Sequence, residues 1–239
     1  MKSITIPKYN NPFTVNINNK EYTYKGGETI EVPDEVAEAI EDALELVPKP
    51  KRYLSTLALR AQGSIESIAE GDLDGCTEIA TYSFYMCKKM RSVKIPSGVV
   101  SIKERAFGGC DNLKTVTFAE DSQLETIEGG AFSYDYNLSS INIPKGVKTI
   151  GDSALAYCYG LNTITIPENV ASIGAAGFST CKGLLMVVMK ATTPTTIQAN
   201  TFYDIPAACV FKVPAESVEA YKAAPNWSAL ASRIVAIEE

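Results

Sequence analysis

A sequence unit of about 23 residues recurs along most of this chain and constrains its fold more than any other feature. Residues 161–181, LNTITIPENVASIGAAGFSTC, show one unit, which ends on an aromatic residue and a cysteine. The closing aromatic or aliphatic position recurs at Leu73, Phe84, Phe107, Phe132, Leu155, Phe178 and Phe202. A cysteine follows three residues later at Cys76, Cys87, Cys110, Cys158 and Cys181. Self-similarity of this kind is typical of a solenoid, in which each unit buries its apolar face against its neighbours.

Each unit should contribute parallel strands and one compact turn. The L-x-x-I-x-I-P segment is rich in β-branched residues that suit a pleated strand, and its proline marks where ladder hydrogen bonding stops. The V-x-x-I-G segment is a second extended stretch, and the x-A-F-x-x-C segment predicts a short helical turn. Strands of successive units would then pair in parallel about 4.8 Å apart. The predicted fold is a right-handed α/β-type solenoid.

The sequence predicts four segments: a small module at residues 1–50, a linker at 51–63, repeats at 64–189 and a C-terminal cap at 190–239. Within the module, alternation around Asn18–Asn19 indicates a β-hairpin, and Asp34 is expected to cap a helix. A module this small rarely folds alone, so it either docks on the first repeat or joins another protein. Trp227 is expected to plug the cap, because an exposed solenoid end is an aggregation edge.

Composition argues against several classes of function. A net charge of −6 disfavours nucleic acid and anionic membranes, which attract clustered Lys and Arg. The chain has no histidine, so it lacks the usual general base near neutral pH and the commonest metal ligand. No stretch approaches the ~20 apolar residues of a membrane-spanning helix. We therefore expect no enzyme activity, no cofactor, no metal site and no membrane insertion.

Six cysteines could indicate disulfides or a zinc site, but their positions favour another interpretation. Five of them occupy one equivalent position in successive units, as small buried core residues do. No C-x-x-C pair is present, which leaves zinc poorly supported. Neighbouring positions about 5 Å apart permit a disulfide, but parallel side-chain directions do not favour one. We expect free, buried thiols.

The turns contain the first group of candidate partner-binding residues. Tyr134 and Tyr157 occupy the same position in adjacent units, and Tyr136 and Tyr159 share another. Neither position belongs to the predicted core, so we expect an exposed aromatic group with Asp135 among it. Tyrosine offers a large contact area at low entropic cost and is enriched at binding hot spots. The alternative is that the rings stabilise the stack or make an oligomer contact.

The predicted strands contain the second group. Outward-facing positions of two adjacent strands hold Ser140, Asn142, Thr163 and Thr165. This face is basic near the first units and apolar at Leu185, Met186 and Val188. Solenoids commonly bind partners on such a face. The alternative is that Ser and Thr are simply good exposed strand residues, and that the three apolar residues pack under the cap.

The ITIP, SIG, AF and C-x-x-L elements of these units resemble the BspA-type leucine-rich repeat, a family of bacterial and protist surface proteins. The resemblance covers residues 64–239, including the tail VFKVPAESVEAYKAAPNWSALASRIVAI, which is similar to the C-terminal cap of this family. It implies a leucine-rich repeat solenoid, here preceded by a small α+β hairpin-helix module, and a role in adhesion. Two features depart from the family pattern. Asp135 stands where a cysteine is expected, and the start MKSITIPKYNN has no signal-peptide core.

These observations predict a non-enzymatic protein-binding or adhesion module that presents an extended solenoid surface. Its expected partner is a protein of the host matrix, of a cell surface, of a bacterium or of a phage. The alternative is a structural, phage-borne receptor-binding arm attached through residues 1–50, a module that resembles small domains of bacteriophage structural proteins. The family implies the cell surface or secretion, and the missing export signal leaves the localisation open.

Overall fold

The computed structural model describes residues 2–5, 13–17, 20–24 and 29–32, residues 68 and 73, and residues 75–238. The chain divides into two compact units, Met1–Arg52 and Tyr53–Glu239. The finer division into module, linker, repeats and cap stays a prediction.

The first unit contains two antiparallel strand pairs: β1 (Lys2–Thr5) pairs with β4 (Thr29–Val32), and β2 (Phe13–Ile17) pairs with β3 (Lys20–Tyr24). The second pair places Ile17 opposite Lys20, in the register that the hairpin expected around Asn18–Asn19 requires. The helix expected after Asp34 lies outside the described residues.

The second unit is built from parallel strands of successive repeats. The V-x-x-I segments form one sheet of β5 (Glu78–Ile79), β7 (Ser101–Ile102), β9 (Thr126–Ile127), β11 (Thr149–Ile150) and β13 (Ser172–Ile173). The first L-x-x-I segments form a second sheet of β6 (Ser92–Ile95), β8 (Thr115–Phe118) and β10 (Ser140–Ile141). A third sheet contains β12 (Thr163–Ile166), β14 (Met186–Met189), β15 (Val210–Val213) and β16 (Ile234–Ala236). Equivalent residues of successive repeats pair in register, as Thr126 does with Thr149.

The turns form another hydrogen-bonded ladder between repeats. The N–H groups of Phe132 and Tyr134 donate to the carbonyls of Ala154 and Ala156 in the next repeat, at 2.8 and 2.9 Å. Left-handed backbone near the closing aromatic, as at Tyr134 with φ 63°, interrupts any continuous helix. The segments expected to be helical are therefore tight turns, and among the described residues the one α-helix is α1 (Val218–Ala223). The predicted solenoid of parallel strands is confirmed.

Aromatic rings and thiols fill the core of the solenoid. Phe84, Phe107 and Phe132 stack in sequence with ring centroids 5.1 and 5.3 Å apart. All six cysteines are free and buried, as predicted. The thiol of Cys110 donates to the carbonyl of Phe84 one repeat back, at 3.1 Å, and Cys158 bonds Phe132 in the same way at 3.3 Å. The cysteine position therefore joins adjacent repeats through hydrogen bonds rather than disulfides.

The C-terminal segment closes one end of the ladder with α1 and two short 3-10 helices, Ala215–Ser217 and Ser228–Arg233. Trp227 is buried there, and its ring packs edge-to-face on Phe211 and Tyr221 at 5.5 and 5.1 Å. Its indole N–H donates to the Thr195 carbonyl at 2.7 Å. These contacts agree with the expected role of Trp227 as a plug.

Candidate functional site

Four tyrosines lie together on the turns of two adjacent repeats. Tyr134 and Tyr157 are stacked, with ring centroids 4.5 Å apart and planes at 10°. Tyr136 and Tyr159 lie 5.1 Å apart with planes at 31°. The ring centroids of Tyr134 and Tyr136 lie 6.3 Å apart, and those of Tyr157 and Tyr159 are separated by the same distance. We call these four residues the tyrosine cluster.

The cluster exposes a large aromatic surface. Tyr134, Tyr136 and Tyr159 are 45%, 38% and 41% exposed, and Tyr157 is half-buried. Tyr134 and Tyr157 both adopt φ 63°, a left-handed conformation that costs a non-glycine residue roughly 1–2 kcal/mol. The turn ladder holds this conformation, because both backbone N–H groups bond to the next repeat. The left-handed backbone of Tyr134 and Tyr157, held by these hydrogen bonds, thus directs the two rings toward the surface.

Asp135 is not part of this exposed surface, so the prediction that it lies among the exposed tyrosines is wrong. Its side chain is fully buried. Side chains alternate along the segment, so Asp135 turns inward between two tyrosines that turn outward. The repeat carried the signal for this placement, because Asp135 occupies the position of the buried Cys110 and Cys158.

The buried carboxyl group is incompletely hydrogen bonded. Its Oδ1 atom accepts from the Cys110 N–H at 2.7 Å, whereas Oδ2 has no partner among the described residues. Burial raises the pKa of Asp135 well above its ordinary value, and the bond from the backbone N–H of Cys110 opposes this effect only in part. Asp135 therefore places a carboxyl group at the buried position where neighbouring repeats have a cysteine.

The strand candidates are outward-facing, but they do not share one sheet. Ser140, Asn142 and Thr163 are exposed and Thr165 is half-buried. Ser140 on β10 pairs with Thr115 on β8, whereas Thr163 on β12 pairs with Met186 on β14. No strand pairing joins β10 to β12 in the described part of the chain. A ligand that covered all four would cross this break.

The apolar end of this face is covered only in part. Met186 and Val188 are half-buried beside β15, whereas Leu185 is exposed. The alternative that all three pack under the cap is therefore wrong for Leu185.

A groove beside the tyrosine cluster was not predicted from the sequence. It has a volume of about 610 Å³, and Tyr134 and Tyr157 stand in its wall. Its polar lining includes Glu128, which pairs with Lys103 at 2.9 Å, and Asp152, whose Oδ1 atom accepts from the Ala175 N–H at 2.7 Å.

Glycines form part of the groove's lining. Gly129, Gly130 and Gly151 all lie there, and a Cβ atom on Gly151 would come within 2.7 Å of the Gly129 nitrogen. In the sequence these glycines recur with the period of the repeat, and nothing in that pattern predicts a groove. Their effect on the surface depends on contacts across repeats.

A sequence pattern for one family matches the repeats. The BspA type leucine rich repeat region occurs in 6 copies over residues 77–208, more than half of the chain. The chain belongs to the BspA-type leucine-rich repeat family. Proteins with such repeats typically act without catalysis, by presenting a surface to a partner. Among curated proteins, none matches this sequence.

The chain is similar to several solved bacterial proteins. The pneumococcal vaccine antigen PcpA is 23% identical with a TM-score of 0.56, over 73% of this chain and 42% of its own. A leucine-rich repeat protein of T. pallidum is 32% identical with a TM-score of 0.46, over 48% of this chain and 54% of its own. One from Bacteroides ovatus is 24% identical with a TM-score of 0.44, over 58% and 43% of the two chains. The present chain therefore spans about half the length of these proteins or less.

Two further structural features are absent from the described residues. None of their helices has the length and apolar character needed to cross a membrane. They contain no group of three or more His, Cys, Asp or Glu residues arranged to hold a metal ion.

Proposed function

We propose that this BspA-type repeat protein is a non-enzymatic adhesion module that binds a protein partner through the tyrosine cluster. The observation that carries the proposal is the exposure of three stacked or tilted tyrosine rings on adjacent repeats. Aromatic side chains are enriched at the centres of protein interfaces, where they fill pockets on the partner. Membership of a repeat family that presents extended surfaces supports the same role.

The exposed area indicates how large the interface must be. If a tyrosine side chain offers ~200 Å², each exposed ring presents on the order of 80 Å² to a partner. Covering Tyr134, Tyr136 and Tyr159 would contribute about 6 kcal/mol at ~25 cal/mol per Å². Association itself costs roughly 4–15 kcal/mol. The tyrosine cluster alone would bind weakly, so the proposed interface extends onto neighbouring surface.

Two neighbouring surfaces fit this extension. The groove lined by Glu128 and Asp152 adjoins Tyr134 and Tyr157 and supplies charged groups beside the rings. The strand positions Ser140, Asn142, Thr163 and Thr165 follow Tyr136 and Tyr159 by a few residues in each repeat. We propose that they form a polar rim, as hydroxyl and amide groups do around an aromatic centre.

The test is capture of a partner by the immobilised intact chain from host-surface extract and, in parallel, from bacterial lysate. We expect saturable retention of a matrix or cell-surface protein that is lost when Tyr134, Tyr136, Tyr157 and Tyr159 are all changed to Ser. The matched control is Tyr203→Ser, because Tyr203 is 66% exposed and lies outside the cluster. Undiminished retention by a folded quadruple variant would show that the cluster is not the binding site.

The second proposal is a structural arm attached to a larger particle through residues 1–50. It is supported by the separation of Met1–Arg52 as a compact unit with its own antiparallel strands. Deleting residues 1–50 should then abolish capture of a bacterial or phage protein and leave capture by the repeats intact. A free adhesin should retain its host partner after the same deletion.

A further inference from the structure

The turn ladder has one position without a side chain beside the tyrosine cluster, at Gly109. The residue two places after the closing aromatic or aliphatic position is left-handed in six successive repeats, at Met86, Gly109, Tyr134, Tyr157, Thr180 and Asp204. Tyr134 stacks on Tyr157 with one face. Its other face is turned toward the preceding repeat, where Gly109 has no side chain. We call this glycine position, between Met86 and Tyr134 in the ladder, the open rung.

The open rung has the dimensions of one aromatic ring. Successive repeats are about 4.8 Å apart, so Met86 and Tyr134, two repeats apart, stand about 10 Å apart along the ladder. A planar ring midway would lie about 5 Å from each neighbour, within the usual range for aromatic pairs. That spacing resembles the 4.5 Å between Tyr134 and Tyr157. The distance between successive repeats therefore suits a continuous stack of aromatic rings along this position of the ladder.

A flexible side chain covers the open rung in the unbound protein. The Cγ atom of Met86 lies 3.3 Å from the position that a Cβ atom on Gly109 would take. Met86 is 42% exposed, and its unbranched chain can rotate away at little cost. Thioether sulfur also makes favourable contacts with ring edges. Met86 can thus leave the space and then line it.

A carboxylate stands next to the open rung. Asp111 follows Gly109 by two residues, as Tyr136 follows Tyr134, and those two rings lie 6.3 Å apart. Asp111 is held by an ion pair with Lys88 at 3.1 Å and remains partly exposed. A ring seated over Gly109 would therefore have a hydrogen-bond acceptor near its edge. Tryptophan and tyrosine carry a donor there, whereas phenylalanine does not.

We propose that the open rung binds a tryptophan or tyrosine side chain of the partner protein, which extends the stack of Tyr134 and Tyr157 by one ring. This inference rests on the proposed function, in which the tyrosine cluster binds a protein. The partner contributes the ring that the repeat lacks at Gly109. Stacking supplies the attraction, and Asp111 selects rings with a donor.

The direct test is a titration of the intact chain, labelled with ¹³C at its methionine methyl groups. The probes are N-acetyl-tryptophanamide, N-acetyl-phenylalaninamide and, as a saturated ring, methyl β-glucopyranoside. We expect a saturable upfield shift of the Met86 methyl signal with the tryptophan probe and several-fold weaker binding of the phenylalanine probe. The buried Met90 signal should stay in place. An unmoved Met86 signal, or an equal response to the sugar, would overturn the proposal.

A substitution that fills the open rung gives the second test. Gly109→Tyr is compatible with the backbone, because Tyr134 and Tyr157 adopt the same left-handed conformation two residues after their closing positions. It should abolish the Met86 response to the tryptophan probe and weaken partner binding at least tenfold. The matched control is Gly75→Tyr, since Gly75 has φ 75° and a Cβ atom there would meet nothing within 4 Å.

The two proposals fail in different ways. If Gly109→Tyr leaves partner binding unchanged while the four tyrosine-to-serine changes abolish it, the open rung is wrong and the proposed function stands. If the serine variant retains its partner, the proposed site is wrong. The probe titration then decides the open rung by itself.

Discussion

The Oδ1 atom of Asp135 accepts a 2.7 Å hydrogen bond from the backbone N–H of Cys110, inside a ladder where the neighbouring repeats place the thiols of Cys110 and Cys158. At Cys110 the thiol donates to the Phe84 carbonyl one repeat back. A carboxylate has no proton to donate in this way. The repeat that carries the exposed tyrosines Tyr134 and Tyr136 therefore holds the least satisfied group in the described core.

Replacing Asp135 with the cysteine of the other repeats should stabilise the protein near neutral pH. Asp135 has a raised pKa in the folded state and ionises near its ordinary 3.8 when unfolded. Above that pH the unfolded state loses its proton first, so the free energy of unfolding falls by about 1.4 kcal/mol per pH unit until the folded state also ionises. At low pH this cost disappears. Asp135→Cys should thus be more stable than the parent at pH 7 by at least ~1–3 kcal/mol, the usual cost of an unsatisfied buried polar group.

Urea unfolding of both proteins at pH 4.5 and pH 7 checks this prediction. The advantage of Asp135→Cys should grow with pH. Asp111→Asn is the control, because it removes a surface ion pair and should change stability by less than about 1 kcal/mol. An advantage that is equal at both pH values would contradict the ionisation argument.

The thiols of Cys158 and Cys181 should be unreactive in the folded protein. Burial raises the pKa of Cys181 to about 12 and that of Cys158 well above its ordinary value, so the reactive thiolate is scarce at these sites. We expect six thiols to titrate in denaturant without reductant, and slow reaction of Cys158 and Cys181 before unfolding. Fewer than six in denaturant would mean that a disulfide forms.

The tyrosine stack should contribute little to stability. Tyr134→Gly loses a ring contact of ~0.5–1.5 kcal/mol but removes a left-handed strain of about 1–2 kcal/mol. The net change in the free energy of unfolding should therefore stay below about 1 kcal/mol, since Gly109 already occupies this position one repeat earlier. Tyr134→Val should be clearly destabilising, because a β-branched residue is a poor fit to φ 63°.

Chemical denaturation of Tyr134→Gly and Tyr134→Val measures both effects. A loss of more than about 2 kcal/mol in the glycine variant would favour the alternative interpretation, in which the rings exist to stabilise the stack.

The cap should depend on Trp227. Trp227→Ala removes a buried ring together with its bond to the Thr195 carbonyl, and should lower the free energy of unfolding by ~3–5 kcal/mol. Circular dichroism during urea unfolding measures the change. Tyr203→Ala, at an exposed ring, should cost less than about 0.5 kcal/mol. Similar losses in both variants would argue against a plugging role.

The division between sequence and structure is clearest around Tyr134 and Asp135. The repeat places Tyr134 beside Tyr157 and Tyr136 beside Tyr159, because equivalent positions of a solenoid must meet. The same logic applied to the cysteine position would have placed Asp135 inside. The groove at Gly129 and the break between β10 and β12 have no counterpart in the periodicity, because they depend on which backbone atoms pair across repeats.

The sequence by itself determined the solenoid, its parallel strands and the buried free thiols, since a fixed period leaves each apolar face only its neighbours to pack against. The tertiary structure alone decided that Tyr157 is half-buried beside the exposed Tyr134, that the turns are not helices and that Met86 covers Gly109 beside Tyr134. The physical reason is the left-handed backbone at the turns, which directs each side chain and is not readable from residue types such as tyrosine and methionine.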